Sequence, residues 1–451
     1  VRTVIDGAYI ATVDAIGTEF PVGHVALEGT RIIAVGAGAA PRELSDGASR
    51  IDGTGHLLTP GLVNTHHHLY QWLTRGIAQD SILFDWLVAL YPSWSRIDER
   101  LVRAGAAGAM AVLARSGCTT VADHHYVFPQ GAGDIVGGIV DAASGIGLRL
   151  HATRGSMDLG QSDGGLPPDF AVETTDAALQ GSADTVARYH DPGFDSMVRV
   201  AIAPCSPFSV TSDLLRESAT LARQLGVRLH THGAETVEED AFCLERFGAT
   251  PTDYLEGLGW LGDDVWMAHC VHLDDTAISK FAATGTGVAH CPSSNARLAA
   301  GTAPIPAMLR AGVPIGLGVD GAASNESGQL GTEIRNSLLM NRLSWGADSI
   351  TGRDVLRVAT MGGARVLGRD AEIGSIEPGK LADLALWRID GVEHAGIADP
   401  LAALTLAAMP PISKLFVNGE LVVHDGELVR EDEWQIARDA ESAARTLAGR
   451  R

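Results

Sequence analysis

Between residues 57 and 320 the chain passes eight times through a short apolar, β-branched run: 57–64, 119–123, 148–153, 198–203, 228–232, 265–269, 287–290 and 315–320. Most of these runs are separated by helix-like stretches such as 101–115, 212–225, 276–283 and 305–311. Continuous apolar runs of this length suit parallel strands buried on both faces by helices. Eight such units predict an α/β chain closed into a (β/α)8 barrel, a TIM barrel. The alternative is an open doubly wound sheet, which calls for a glycine-rich phosphate loop after its first strand. Here the first run ends instead in His66-His67-His68.

The two chain ends have a different texture. Residues 1–55 and 372–430 hold short strand-like segments punctuated by Gly and Asp, and Asn418-Gly419 is a strong tight-turn signal. The ends are expected to pair into one small β-sandwich domain, with the barrel, 56–371, inserted between them and a charged amphipathic helix over 431–451.

Charge excludes several functions. With 55 acidic against 34 basic residues the formal net charge is −21, a field that repels nucleic acid and anionic membrane. No apolar run is long enough to span a bilayer, and no basic-then-apolar leader is visible at Val1-Arg2-Thr3. Cys118, Cys205, Cys243, Cys270 and Cys291 are scattered, with no CxxC pair. They read as reduced thiols of a cytoplasmic protein, not as a disulfide frame.

The chemistry collects where a barrel keeps its active site, at the C-terminal ends of the strands. Those ends carry His66-His67-His68, Asp123-His124-His125, Arg154, His230-Thr231-His232 with Glu235 beyond, His269, His290 and Asp320. Residues two apart on extended chain share a face, so His66 and His68 can reach one metal. A third imidazole and a carboxylate would complete a nitrogen and oxygen site suited to zinc or iron.

Several of these segments resemble one family. Pro60-Gly61-Leu62-Val63-Asn64-Thr65-His66-His67-His68 resembles the first-strand signature of the amidohydrolase superfamily, and His232-Gly233-Ala234-Glu235 its HxxE element. Ala268-His269-Cys270-Val271-His272, His290-Cys291-Pro292-Ser293-Ser294-Asn295 and Gly318-Val319-Asp320 resemble strands six to eight of its cytosine/guanine/triazine deaminase branch. Glu377-Pro378-Gly379-Lys380-Leu381-Ala382-Asp383-Leu384 resembles the strand that re-enters the small β domain. The resemblance implies one Zn²⁺ per chain, or Fe²⁺, held by His66, His68, His232 and Asp320, with Glu235, His269 and Asp320 catalytic. A divalent ion there lowers a water's pKa to about 7. Glu235 would shuttle a proton to a ring nitrogen, His269 would polarise the reacting carbon's oxygen, and Asp320 would carry a proton to departing ammonia. Many superfamily members bridge two metals with a carboxylated lysine on the fourth strand. The only lysines here are Lys280, Lys380 and Lys414, so that arrangement is excluded.

Within the branch, the segments around His68-Leu69-Tyr70-Gln71, His151-Ala152-Thr153-Arg154, Ala203-Pro204-Cys205-Ser206 and Ala241-Phe242-Cys243 resemble the 8-oxoguanine deaminase group. The resemblance implies deamination of an oxidised or substituted purine, with Gln71 and Arg154 meeting the ring. Triazine hydrolases, hydroxytriazine amidohydrolases and pterin deaminases are the alternatives. Trp72 and Ser293 depart from the group's pattern and are expected to bear on the pocket's shape. His67, His124, His125, His230, His272 and His290 are left as surrounding or core residues, His290 being the one expected nearest the site. Outside enzymes, a metal-binding scaffold that lost catalysis would have shed some of Glu235, His269 and Asp320, and all three are present. The expected partner is a small heterocyclic substrate, with no nucleic acid and no membrane, in a homo-oligomer.

Overall fold

A computed structural model describes residues 2–449; Val1 of the N-terminal β segment and Arg450 and Arg451 of the terminal helix lie outside the described residues. Eight parallel strands close a barrel in chain order: Leu62–Asn64, Cys118–His125, Arg149–Ser156, Val198–Pro204, Leu229–Gly233, Val265–His269, Gly287–His290 and Ile315–Leu317. They are called here the first to eighth barrel strands. Leu317 of the eighth pairs with Asn64 of the first, and the Asn64 side chain also accepts the Val319 N–H at 2.9 Å. The second and third strands are buried at every position. This explains why the apolar runs are continuous instead of alternating.

The first apolar run of the sequence serves two sheets. His56–Pro60 pairs antiparallel with Leu384–Arg388 outside the barrel, and Leu62–Asn64 begins the barrel itself. Gly61 makes the crossing, where a Cβ would stand 2.1 Å from Cγ2 of Thr119. Only a residue without a side chain lets the two segments pass.

The second sheet has nine strands. Five come from the N-terminal region (Arg2–Ala11, Glu19–Glu28, Arg31–Ala37, Ser49–Asp52 and His56–Pro60), and four from the C-terminal region (Leu384–Arg388, Ile412–Val417, Glu420–His424 and Glu427–Leu428). Asn418 and Gly419, both with positive φ, form the two-residue turn that brings Val417 opposite Glu420. The sheet has its own apolar cluster, including Ile5, Ile10, Val25, Leu58, Leu384 and Phe416. A buried pair, Arg149 to both carboxylate oxygens of Asp383 at 3.0 and 3.2 Å, ties it to the barrel.

The terminal helix Glu433–Gly449 buries Ala440, Ala443 and Leu447, spaced three and four apart, against the helix Glu99–Arg115. An Arg115–Glu433 ion pair at 2.9 Å sits at its start. Among the described residues no helix is long and apolar enough to cross a membrane. All five cysteines are buried and unpaired.

Candidate active site

Three strand ends deliver four side chains to one buried centre. His66 and His68 lie just beyond the first strand, His232 within the fifth and Asp320 three residues past the eighth. Nε2 of His68 is 3.2 Å from Nε2 of His232. Asp320 Oδ1 lies 3.2 Å from Nε2 of His66 and 3.3 Å from Nε2 of His68. The surrounding hydrogen bonds fix what these atoms are. His68 Nδ1 donates to the His124 carbonyl at 2.6 Å and His232 Nδ1 to the Cys205 carbonyl at 2.7 Å, so both Nε2 atoms are bare lone pairs. His66 Nδ1 contacts His230 Nε2 at 2.8 Å, and His230 Nδ1 donates to the Trp266 carbonyl. A neutral His230 therefore accepts, and His66 Nε2 is bare as well. Neither His66 Nε2 nor Asp320 Oδ1 has a hydrogen-bond partner.

Acceptor faces acceptor throughout. Buried lone pairs at such separations repel unless a cation lies among them, and three imidazoles with one carboxylate suit a divalent metal. Burial pushes the His66 and His68 imidazoles below their usual range and His232 down to about 3, so all three are neutral, as ligands must be. The ligand-type atoms form two overlapping sets within 4.8 Å, one of His66, His68, His124 and His232, the other of His66, His269 and Asp320. His124, left aside in the sequence, is thus drawn into the cluster. Its Nε2 donates to the Ala203 carbonyl at 2.9 Å, and its ring stacks on His232 at 4.8 Å.

Beside this centre lie Glu235 and His269. Glu235 Oε2 is 3.6 Å from His269 Nε2, and His269 Nδ1 is hydrogen-bonded to Asn295 Oδ1 at 2.9 Å. Burial, then the charge of Asp320, holds the Glu235 carboxyl well above the usual carboxylate range. Burial also works against ionised Asp320, but the close-set imidazoles of His66, His269 and His68 bring its pKa well below the ordinary value. Ser294 and Ser324 donate to Asp320 Oδ2 at 2.5 and 3.0 Å, which leaves Oδ1 for the centre. Ala234, His269, Cys270 and Asp320 all have positive φ without being glycine. Strained backbone of this kind collects where side chains must be aimed at one point.

A cavity opens onto the centre. Its inner wall includes His68, Gln71, His232, Glu235, His269 and Asp320. Gln71 is fully buried, and neither atom of its carboxamide has a partner. The remaining lining comes from residues the sequence did not assign to the site. Leu83, Trp86 and Leu87 descend from the helix Leu83–Trp94, joined by Phe208, Leu298, Tyr126 and Cys205. Among the described residues no lysine or arginine lines it.

Arg154 is not brought to the cavity. Its guanidinium pairs with both oxygens of Glu173 at 2.7 and 3.0 Å and stacks 3.5 Å over Phe128. Trp72 points outward onto Gly108 and Gly328, with Arg75 3.5 Å over its ring. Ser293 turns away too: its hydroxyl donates to buried Glu333 at 2.6 Å, and its N–H donates to the same carboxylate. His290 is buried beside Asn341 of the helix Leu330–Trp345 and does not line the cavity. His125 donates to the Val127 carbonyl and His272 to that of Ala300, while His67 is buried with neither ring nitrogen partnered.

A (β/α)8 barrel whose strand ends gather neutral imidazoles and a carboxylate, with a buried acid alongside, is a metal-dependent hydrolase with deaminase chemistry. Comparison with known proteins narrows the class. Residues 57–422 match the amidohydrolase family, and the chain belongs to that family. It is 45% identical over 98% of both chains to 8-oxoguanine deaminase of Pseudomonas aeruginosa. It is 37% identical to isoxanthopterin deaminase of an unknown prokaryotic organism, over 95% of this chain and 92% of that one. Among solved structures, atrazine chlorohydrolase of Arthrobacter aurescens complexed with zinc superposes with a TM-score of 0.91 at 33% identity, covering 98% of this chain and 100% of that one.

Proposed function

We propose that the protein is a zinc aminohydrolase of 8-oxoguanine or a closely similar oxidised purine, with one metal per chain held by His66, His68, His232 and Asp320. The observation that carries the choice of ring is the full-length likeness to 8-oxoguanine deaminase. The cavity supports it. The unpartnered carboxamide of Gln71 offers a donor and an acceptor to a ring edge bearing carbonyl and N–H groups. A lining without lysine or arginine gives no counter-charge to a phosphorylated substrate, which favours a bare base.

A divalent ion held by these residues would supply an activated water and a Lewis acid near neutral pH. The chain's own residues do the rest. Glu235 moves a proton to the ring nitrogen beside the reacting carbon, a task suited to a carboxyl whose pKa burial has raised. His269, its Nδ1 tied to Asn295, stabilises the oxygen that develops charge when Nε2 carries a proton, and Glu235 Oε2, 3.6 Å away, is placed to supply it. Asp320, ionised and braced by Ser294 and Ser324, takes a proton from the attacking water and passes it to the departing amine. Leu83, Trp86, Leu87 and Phe208 cover the ring and keep bulk water from it. Gln71 is the substrate contact; Arg154, committed to Glu173, acts as a brace behind the third strand.

The test is ammonia release from guanine, 8-oxoguanine, isocytosine, pterins and hydroxytriazines. 8-oxoguanine should rank first in kcat/KM. A pterin or triazine is the competing reading, favoured by the isoxanthopterin and atrazine relatives. Either at the top with 8-oxoguanine inert refutes the purine assignment and leaves the hydrolase chemistry standing.

A further inference from the structure

The three imidazoles facing the centre are not held alike. His68 and His232 each donate Nδ1–H to a backbone carbonyl. His66 alone leans on another side chain, Nε2 of His230, at 2.8 Å. A carbonyl oxygen always accepts, but an imidazole nitrogen accepts only in one tautomer. The tautomer of His230 therefore decides whether His66 shows the centre a lone pair or an N–H.

Trp266, on the sixth strand, sets that tautomer. Its carbonyl takes the Nδ1–H of His230 at 2.9 Å. Its indole stacks on the same ring, 4.3 Å between centroids and 15° between planes. Its Nε1–H donates at 3.0 Å to the carbonyl of Thr65, the residue before His66. A closed circuit results: His66 to His230, His230 to Trp266, Trp266 back to the chain beside His66. Every member is at most 1% exposed, so water does not compete for these bonds. In the opposite tautomer of a neutral His230, a bare Nδ1 would face the Trp266 carbonyl and a proton would face His66.

We propose that His230, locked by Trp266, is the positioning residue that keeps His66 in its metal-binding tautomer. The inference rests on the reading that His66 is a ligand. A cation drawn to His66 Nε2 makes Nδ1–H more acidic and strengthens its bond to the imidazole nitrogen, so the circuit tightens when the site is filled. Removing the acceptor lets His66 rotate or change tautomer while His68, His232 and Asp320 stay as they are.

The experiment is a zinc affinity measurement on chelator-stripped protein, by competition with a chromophoric chelator, alongside thermal melts of the apo forms. His230→Leu fills the volume without an acceptor and should weaken zinc binding roughly 10–100-fold. His230→Gln offers an amide oxygen to His66 Nδ1–H and should stay close to wild type. Nitrogen-15 histidine spectra of the zinc-loaded wild-type protein should show an Nδ1–H bonded to a second imidazole nitrogen, a readout that needs no variant to fold. The proposal is overturned if His230→Leu binds zinc as tightly as wild type. It is overturned equally if His230→Gln is as weak as His230→Leu although both melt normally, or if the proton proves to reside on Nε2 of His230. Wild-type protein that takes up no zinc overturns the ligand reading, and this inference with it.

Discussion

Gly321→Ala tests whether Gln71 reads the substrate, without touching Gln71. Gly321 follows Asp320, and its missing side chain makes room for the carboxamide. A Cβ there would lie 1.8 Å from Oε1, 2.3 Å from Cδ and 3.0 Å from Nε2 of Gln71. Ordinary van der Waals contact begins at 3.4 Å, so Oε1 must retreat by more than an ångström. The φ of Gly321 lies outside the left-handed region, so alanine fits the backbone and the strain falls on the amide. The displaced amide no longer meets the ring edge, and a substrate group left unpartnered in a buried site costs about 1–3 kcal/mol. That corresponds to roughly a 5- to 150-fold loss of kcat/KM on the preferred base. Metal content, measured by elemental analysis, must stay at the wild-type level, because Asp320 is the neighbouring residue. The decisive control is a double-mutant cycle with Gln71→Ala. If the methyl acts only through Gln71, the double variant is no worse than Gln71→Ala alone. Wild-type kinetics in Gly321→Ala, or full additivity in the cycle, refutes the reasoning.

Glu235→Gln should retain the metal and lose at least about 100-fold in kcat, because it removes a proton carrier and no ligand; steady-state ammonia release decides it, and a near-wild-type rate would move the role to His269. Protein purified with its metal should hold about one zinc or iron per chain, and His66→Ala or His232→Ala should abolish that occupancy; two ions per chain at full loading would contradict the single centre. Buried Asp123, whose carboxyl desolvation raises from 3.8 to about 7, gives a pH effect of definite sign. The folded state holds this proton where the unfolded chain has lost it, so this group's contribution to stability falls as pH rises from about 4 to about 7. Asp123→Asn should match wild type near pH 4 and exceed it by up to about 4 kcal/mol at pH 8. Denaturant melts at the two pH values check this, and a variant less stable at pH 8 would overturn it.

The barrel was legible because its strands are buried on both faces, which turns them into unbroken apolar runs. The double use of the first run was not. Pro60-Gly61 sits inside continuous hydrophobic sequence, and only the packing of Thr119 against Gly61 shows why the chain changes sheets there. The hairpin at Asn418-Gly419 could be read locally, since both residues supply the positive φ that such a turn demands. The apolar stripe of Leu83, Trp86 and Leu87 belongs to a different case. On a helical repeat it is indistinguishable from core, and only the fold turns it over a cavity.

The convergence of His66, His68, His232, Glu235, His269 and Asp320 followed from one rule, that barrel strands end at a common face. The same rule brought Arg154 to the third strand's end and could not foresee Glu173, nineteen residues on, taking its guanidinium. A strand end fixes where a side chain starts; its neighbours fix where it goes. The tautomers make the point most sharply. Each imidazole at the centre offers it a lone pair only because its far nitrogen is occupied: by His124 and Cys205 carbonyls for two of them, and by His230 for the third. His230 and His66 are 164 positions apart, so sequence spacing carries no trace of their bond. Chemistry in this barrel is therefore set by two layers. The strand order brings in the metal-binding groups, and hydrogen bonds across the barrel decide which of their atoms are free to bind.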